Sequence, residues 1–596
     1  MPRSEVDVIR DGSRRPGRAF LRPSHALAVA IVLSTGLSLF APTVMGDGEP
    51  RAEARADLGR ELEAHRARAR EALAAGRAEL AVGELIAAQA LASRQGDPAA
   101  TAAVQGVLGQ AYLLAGEPAA AQGALDQALQ RARAAQRIDL EAAALNDLGS
   151  LALAEDDVAT ALTRFAAAVD LATRAGRPDV AAAAAINAAR VSAEGDDPQA
   201  SPRWLDVARD AIERQAATAA KAAQLLALAR QLARLDQPRA AAAAYLEVEA
   251  LGAELADPRL QSQAVGYRAE LYEAAGRRAE ALALARRALF LAQTAAAPDI
   301  TYLWQWQIGR LLAAEGEADQ AIIAYQQAVR TLDQLRPDLI ALSQRREQPV
   351  YRATAGPVHL ELADLLLKRA GAAPEAAARQ HDLRAARSVI EAFRAVELED
   401  YFRDQCVAEL QARVRPIDEL APHTAAIYPI ILPERTVMLV SLPDGLSQVS
   451  IPVPADELIA EVRAFRLLLE KRTTRQYLPI AQALYERLIR PIEPRLRDQA
   501  VDTLVFIPDG ALRTVPLAAL HDGQEFLIDR YAIATVPSLD LLDPRPVAEA
   551  RITMLLNGLT EPVQGFAALP FVALELDTTL VTLAWNVKRI FALTPA

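Results

Sequence analysis

The sequence predicts an α-solenoid of helix–turn–helix repeats followed by a partial α/β domain, and three observations carry that expectation. Turn-forming residues recur every 40 positions, at Gly76, Gly116, Asp156, Asp196, Asp236, Gly276 and Gly316. Small residues keep a fixed phase around them: seven positions earlier stand Ala69, Gly109, Gly149, Ala189, Ala229, Ala269 and Gly309. Beyond Arg415-Pro416 the helical pattern gives way to short apolar runs rich in β-formers and bounded by Pro, Asp and Gly, which is how strands between tight turns read.

Composition narrows the classes. The 596 residues are 52% apolar and 24% charged, as in ordinary globular proteins, with a formal net charge of −11. That acidic balance argues against a nucleic-acid partner, which needs a basic face. The single cysteine, Cys406, excludes an intramolecular disulfide and a cysteine-built zinc site. No cofactor or metal is expected: the sequence contains no HExxH, no Walker loop, no GxGxxG and no GxSxG elbow.

The chain opens with a basic segment, residues 1–25, carrying Arg3, Arg10, Arg14, Arg15, Arg18 and Arg22. Residues 26–45, ALAVAIVLSTGLSLFAPTVM, hold no charge. A basic flank before an apolar run near bilayer-spanning length predicts a signal peptide or a signal-anchor helix over 26–46. Either route exports the rest, so the expected location is periplasmic or extracellular, or inner-membrane anchored through residues 26–45 with the C-terminal part outside the cytoplasm.

About seven repeats fill residues 57–340. Alanine or another small residue at fixed phase lets paired helices approach closely, and larger residues such as Leu108, Tyr112 and Leu125 fill the space between them. Breakers separate the units at Gly96-Asp97-Pro98, Gly176-Arg177-Pro178, Asp257-Pro258, Pro298-Asp299 and Pro337-Asp338. The fourth and fifth repeats fit the pattern worst, with Pro202 falling inside a helix register. Such units cannot bury their faces alone and must stack. The segment LGQAYLLAGEPAAAQGALDQAL, Leu108 to Leu129, resembles the tetratricopeptide repeat at Leu108-Gly109, Tyr112, Ala121, Leu125 and Ala128. The expected partner is a protein or peptide lying on the concave face of the solenoid. Trp204, Trp304 and Trp306 are either groove rings or core.

Residues 341–415 form a helical connector that contains Cys406, expected to be a structural thiol. After it, Thr424–Leu432 and Thr436–Leu442 read as strands, Pro443-Asp444-Gly445 as a turn and Leu446–Val453 as the returning strand of a hairpin. Helices are expected over 456–472 and 479–490, strands over 503–507, 531–538 and 551–559, and a helix from Pro570. Alternating strands and helices imply a largely parallel sheet, with 503–507 as a buried strand at its middle.

Several blocks in this order resemble the CHAT domain, a caspase-like peptidase family often fused behind tetratricopeptide repeats. They are IEAFRAVELEDYF (Ile390 to Phe402), AIYPIIL (Ala426 to Leu432), LVFIPDGALRTVPLAALHDG (Leu504 to Gly523), YAIATVPSLDLLDP (Tyr531 to Pro544), LLNGLTEPVQGFAALP (Leu555 to Pro570) and Glu575-Leu576. The resemblance implies the N-terminal half of a CHAT domain over 416–580, with a divergent tail over 581–596. It implies cysteine endopeptidase ancestry in a bacterial-type protein. In that family the catalytic histidine stands in a His-Gly motif and the cysteine in a Ser-Ala-Cys motif, both after the Glu-Leu helix. Neither motif occurs here, so the expectation is a truncated or frame-shifted chain that is catalytically inactive, with no catalytic residue assigned. The alternative is a non-enzymatic adaptor. Of the six histidines, His25, His65, His359, His381 and His423 lie away from any such motif, and His521 is expected to be structural. The carboxylate pairs Glu397/Glu399-Asp400 and Asp156-Asp157 read as solvated surface.

Overall fold

A helix can reverse tightly when the residue after its last turn adopts a left-handed backbone. That conformation recurs with a spacing of 20 residues along most of this chain: Gly76, Gly96, Gly116, Gln136, Asp156 and Gly176, then Asp236, Ala256, Gly276, Ala296 and Gly316 all have positive φ. At ten of the junctions the next residue's amide reaches back five positions to a carbonyl of the last turn, at 2.8–3.1 Å, as from Glu117 to Tyr112 and from Arg277 to Tyr272. This bond caps the helix C-terminus and aims the chain into the next helix. Turns between units and turns within units are therefore built alike.

The structure is a computed structural model that describes residues 49–539, apart from 75, 196, 347–349, 403–422 and 472–473, together with residues 571, 572, 574 and 578. The first sixteen helices run as eight antiparallel pairs. They are α1 (Glu49–Ala74), α2 (Ala78–Gln95), α3 (Pro98–Ala115), α4 (Pro118–Ala134), α5 (Ile138–Ala154), α6 (Val158–Arg174), α7 (Pro178–Glu194) and α8 (Ser201–Glu213). Then follow α9 (Ala219–Arg234), α10 (Pro238–Glu254), α11 (Pro258–Ala274), α12 (Arg278–Thr294), α13 (Pro298–Ala314), α14 (Ala318–Arg346), α15 (Val350–Ala372) and α16 (Ala376–Phe402).

Pairs lock by matched volumes. A Cβ on Gly149 would fall 2.7 Å from the Phe165 ring, and one on Gly309 would fall 2.8 Å from Tyr325. Gly109 meets Leu125 in the same way. The small position predicted from the repeat is thus the socket for a large residue on the second helix of the same pair.

Three sequence expectations need correction. Pro202 does not interrupt a helix: α8 begins at Ser201, so the proline occupies its first turn, where no amide is needed. The irregularity is confined to the fourth pair, where Gly195 is extended and a 3-10 turn, Pro198–Ala200, precedes a shortened α8. The fifth pair is regular, with Asp236 left-handed and Gln237 bonded back to Leu232. Pro337 does not break the chain either, because α14 runs through it, and the burial of Leu332 and Leu339 on either side outweighs the lost backbone bond.

The sheet domain contains β1 (Thr424–Ile431), β2 (Thr436–Leu442), β3 (Gly445–Ile451), β4 (Thr503–Phe506) and β5 (Ala532–Thr535) in the order β3-β2-β1-β4-β5. The sheet is mixed rather than largely parallel: β1–β2 and β2–β3 are antiparallel, and β1–β4 and β4–β5 are parallel. The hairpin register joins Leu442 to Gly445 across the Pro443-Asp444 turn. The fully buried strands are β1 and β2, while β4 is only partly covered and β5 is largely exposed.

Two faces of the sheet carry two cores. Ala426, Tyr428, Ile430, Val437 and Leu439 pack against Val358, Leu362, Ile390 and Phe393 of α15 and α16. Alternate residues Ala425, Ile427, Met438, Val440, Leu504 and Phe506 pack against α17 (Ala455–Leu469), α18 (Leu478–Leu488) and α19 (Glu493–Asp498). The last repeat pair is therefore also one outer layer of an α/β/α sandwich. The predicted connector is part of both halves, because its apolar residues face the solenoid on one side and the sheet on the other.

Among the described residues no helix is long and apolar enough to cross a membrane. The predicted export segment, Cys406 and the predicted strand over 551–559 lie outside the described residues. The chain divides into two units, residues 1–542 and 543–596. In the second unit residues 572, 574 and 578 are helical.

Candidate functional site

Odd-numbered helices lie against one another in series, α3 on α5, α5 on α7, α7 on α9, α9 on α11 and α11 on α13. Among the described residues the even-numbered helices from α2 to α12 make no comparable approach to each other. The side where successive units come closest is the inside of the curve, so the odd helices line the concave face.

From α3 to α13, the repeat phase immediately after the small residue of each first helix lies on this face. It is held by Gln110, Ser150, Arg190, Arg230, Glu270 and Arg310, a polar column inside an alanine-rich solenoid. At its first end the column is satisfied internally. Gln110 Nε2 donates to Asp147 at 2.7 Å, Asn146 Nδ2 donates to Asp147 at 3.1 Å, and Asn187 Nδ2 donates to Asn146 at 3.1 Å. This buried seam bonds α3, α5 and α7 together.

At the far end the column becomes aromatic and charged. Arg310 lies 4.7 Å from the Trp306 ring centroid and bonds both oxygens of Glu273 at 3.2 Å. Trp306 Nε1 donates to Glu361 of α15 at 2.7 Å, and the Tyr325 hydroxyl donates to the same oxygen at 2.8 Å. Trp304, two residues from Trp306, is fully buried and donates to Ser262 at 2.9 Å. Of the three tryptophans, Trp306 borders the inner face, Trp304 is core, and Trp204 packs partly buried beside Phe165 and Val191. Glu270 is exposed to solvent, yet it stands among crowded neighbours in the concavity. The crowding, rather than its exposed area, governs its titration: burial pushes its carboxyl up to about 7, with Glu273 adding to the effect and Arg310 and Arg230 opposing it.

Between these ends lie the cations of α7 and α9. Arg230 sits 4.9 Å from the Tyr267 ring centroid and forms no ion pair among the described residues. Arg190 Nη2 is buried and meets no acceptor.

The sheet domain offers a second candidate at the carboxyl end of β4, where ligands of α/β sheets usually bind. Here the turn Pro508-Asp509-Gly510 is filled by the protein's own charges. Arg394, 1% exposed, donates from Nη1 to the Ile507 carbonyl at 2.6 Å. Arg352 pairs with Glu397 and, at 3.2 Å, with Asp509, while Arg513 reaches Glu397 at 3.0 Å. Burial pushes the Asp509 carboxyl up, but Arg352, Arg394 and Arg513 together outweigh it and hold it below the usual carboxylate range. Glu397 is not the solvated surface residue the sequence suggested. Its side chain is 8% exposed because the fold packs the α16 surface against the β4 turn.

Four of the five described histidines are occupied locally, and His381 is exposed on α16. His521 accepts from the Gly523 amide at 2.9 Å and meets Phe526 edge-on, which fixes the Leu520–Gly523 turn. His359 is buried against Phe393 with Nδ1 on the Ala355 carbonyl, and burial lowers its pKa. His65 pairs with Glu84 and His423 with the Ala500 carbonyl. Asp156 is exposed as expected, and Asp157 caps α6. Among the described residues no cluster of His, Cys, Asp or Glu is placed to hold a metal ion.

Sequence reasoning found the repeat but missed the polar column, although the same 40-residue spacing that revealed the turns also aligns Arg190, Arg230 and Arg310. Arg394 and Glu397 stand in the Ile390 to Phe402 block that carries part of the resemblance, but nothing in their spacing pointed to their partners, which lie far along the chain.

Solved structures similar to this chain include the apo form of RapI, at 11% identity and a TM-score of 0.34, covering 46% of this chain and 99% of that one. A Rap protein complexed with competence and sporulation factor matches at 13% identity and 0.34, covering 60% and 98%. The human IFIT1 dimer with PPP-AAAA matches at 14% identity and 0.30, covering 76% and 93%. Scores of this size decide neither fold nor ligand here. No curated protein matches the chain. The family model of the CHAT domain matches residues 478–585, which begin at α18 and include β4, its Pro-Asp-Gly turn and β5. The chain is therefore a helical-repeat solenoid followed by a mixed-sheet domain, in which residues 478–585 match the family model of the CHAT domain.

Proposed function

We propose that this chain is a protein-binding scaffold whose inner face holds a partner segment, and that the CHAT region in these residues does not hydrolyse peptides. The observation that carries the binding reading is the continuous inner face of α3 to α13, which presents half-buried rings and charges, Tyr267, Trp306 and Arg310 among them, instead of the alanines that dominate the rest of the repeats. Half-buried aromatic rings beside arginines are what peptide-holding surfaces use. The inactive reading is supported by the absence of His-Gly and Ser-Ala-Cys from the sequence and by the local engagement of His359, His423 and His521. We further propose that the protein works outside the cytoplasm, exported or anchored through residues 26–45.

Photo-crosslinking tests the binding reading. A benzophenone side chain at position 267 of the full chain is expected to capture the partner, whereas one at Phe290, exposed on α12, is expected not to. Capture at 290 alone refutes it. For the peptidase part, a thiol-directed peptide probe should leave the protein unlabelled; labelling of Cys406 that disappears in His521→Ala overturns the inactive reading. Cell fractionation checks export, and an uncleaved product wholly in the cytosol refutes it.

A second reading, an adaptor that uses both parts for protein contact, is supported by the shared α15–α16 layer, since a partner on either half bears on the other through the same helices.

A further inference from the structure

Three rings are stacked along α15 where the solenoid meets the sheet. Phe393 of α16 lies between Tyr351 and His359, with ring centroids 6.2 Å and 5.1 Å away and interplanar angles of 25° and 30°. The floor of the stack is Gly356, where a Cβ would fall 3.3 Å from Phe393 Cζ. The Phe393 ring therefore rests on the α15 backbone. The stack belongs to the apolar core that α15 and α16 share with β1 and β2.

His359 is 2% exposed, and among the described residues its one hydrogen bond joins Nδ1 to the Ala355 carbonyl, 2.8 Å away. A carbonyl only accepts, so Nδ1 carries the proton and Nε2 is bare in the neutral ring. A second proton would create an N–H on Nε2 that meets no acceptor among the described residues. The surrounding charges do not make up for this. Asp333 of α14 favours the charged ring, but burial outweighs it and lowers the pKa. Arg336, also of α14, acts on Tyr351, whose hydroxyl is buried without a partner. On α15 itself Arg352 is held by Glu397 and Asp509, and Glu361 accepts from Trp306 and Tyr325. On α16 Glu391 accepts from Ser538, and Arg394 donates to the Ile507 carbonyl. From the sheet the Tyr428 hydroxyl faces Glu391.

A histidine in an apolar core usually only fills space, and a neutral side chain of similar volume would fill it without titrating. His359 differs by its place. The ring it supports precedes Arg394 in the chain, the residue that fastens the end of β4. We infer that His359 is a pH-sensitive latch: the neutral ring completes the stack that seats α16 on α15, and its protonation loosens this layer and the hold of Arg394 on β4. Burial keeps the folded-state pKa below the unfolded value of 6.5, so the stabilisation is full above pH 6.5 and is lost as the pH falls through the folded value. Glu270 titrates with the opposite sign, so acid favours the middle of the solenoid while it weakens the joint. Nothing in this depends on what the inner face binds.

Because the two responses oppose each other, the readout must be local. Hydrogen exchange of the full chain, corrected for the intrinsic pH dependence of the rate, is followed from pH 7.5 to pH 4.0. Protection over α15, α16 and residues 503–510 is expected to fall at least about threefold between pH 7.5 and pH 5.0, while α3 to α9 keep theirs. His359→Phe keeps a ring for the stack, and His359→Gln keeps a donor for the Ala355 carbonyl. Each is expected to hold its protection over α15 and α16 across that range. An equal fall in a folded variant overturns the latch, as does a wild type that shows no fall. A fall of the same size over α3 to α9 is general acid unfolding and also overturns it. A wild-type midpoint below pH 4.5 assigns the loss to carboxylates and overturns it even where neither variant folds.

Discussion

Arg394 of α16 donates from Nη1 to the main-chain carbonyl of Ile507, 2.6 Å away and 113 residues further along the chain. The bond fastens the last helix of the solenoid to the end of β4, where the Pro508-Asp509-Gly510 turn begins. Arg352 and Arg513 surround it with ion pairs to Asp509 and Glu397, and on the same helix Glu391 accepts from the Ser538 hydroxyl. The sheet is thus bolted to α15 and α16 by buried polar contacts as well as by apolar packing.

Replacing Arg394 by Met should cost about 3 kcal/mol of stability, because it orphans the Ile507 carbonyl and removes a cation that compensates buried Asp509. Urea denaturation followed by far-ultraviolet circular dichroism measures this. A loss below experimental error would show that the fastening contributes nothing.

The sockets between paired helices predict non-additive mutants. Gly109→Ala pushes a methyl into Leu125 and should cost about 2 kcal/mol. Leu125→Ala leaves a cavity and should cost about 3 kcal/mol. The double variant should lose clearly less than the sum, since the new methyl enters the space the leucine vacated. Strict additivity in a thermodynamic cycle would contradict the packing.

Left-handed turns without glycine hold conformational strain. Ala256 and Ala296 have φ of 53° and 48°, which an L-residue adopts at a cost of about 1 kcal/mol or more. Ala256→Gly and Ala296→Gly should each stabilise the protein by about 1 kcal/mol, and Gly276→Ala should destabilise it similarly. Thermal melts of the three variants decide the matter, and the signs must be opposite.

Glu270 makes stability fall as pH rises. Burial raises its folded-state pKa from 4.5 to about 7, so the folded protein holds a proton that the unfolded chain releases between those values. The contribution is full below pH 4.5 and lost through about pH 7. Glu270→Gln, which removes the titration, should gain on the wild type between pH 5 and pH 8. Melting temperatures of both proteins at those two pH values test it, and a constant difference would refute the assignment. Arg230, Glu273 and Arg310, which face Glu270, are unchanged in the comparison.

Much of the solenoid was legible because its determinants are local. A turn residue, the helix it ends and the small residue seven positions earlier lie within one repeat, and a period of 40 copies them along the chain. The strands were legible for a similar reason: runs such as Thr436–Leu442 are apolar throughout, and Pro443-Asp444-Gly445 stops them. Pro337 misled because local preference for a break lost to the burial of α14 on both sides. The β2–β3 hairpin was legible from its turn, but the pairing of β1 was not, since β1 has the same apolar run whether its neighbour is antiparallel β2 or parallel β4.

By itself the sequence determined the repeat, the phase of its turns, the strand segments and the CHAT motifs, because each depends on residues a few positions apart. Only the tertiary structure decided that α15 and α16 serve both the solenoid and the sheet. It alone also placed Glu397 in a buried ion-pair cluster, and left Arg190 with an unsatisfied donor beside Arg234. Those outcomes join residues from different repeats or from opposite ends of the sandwich. An ion's partner is set by the three-dimensional distance and the water excluded around it, and neither quantity is written in sequence spacing.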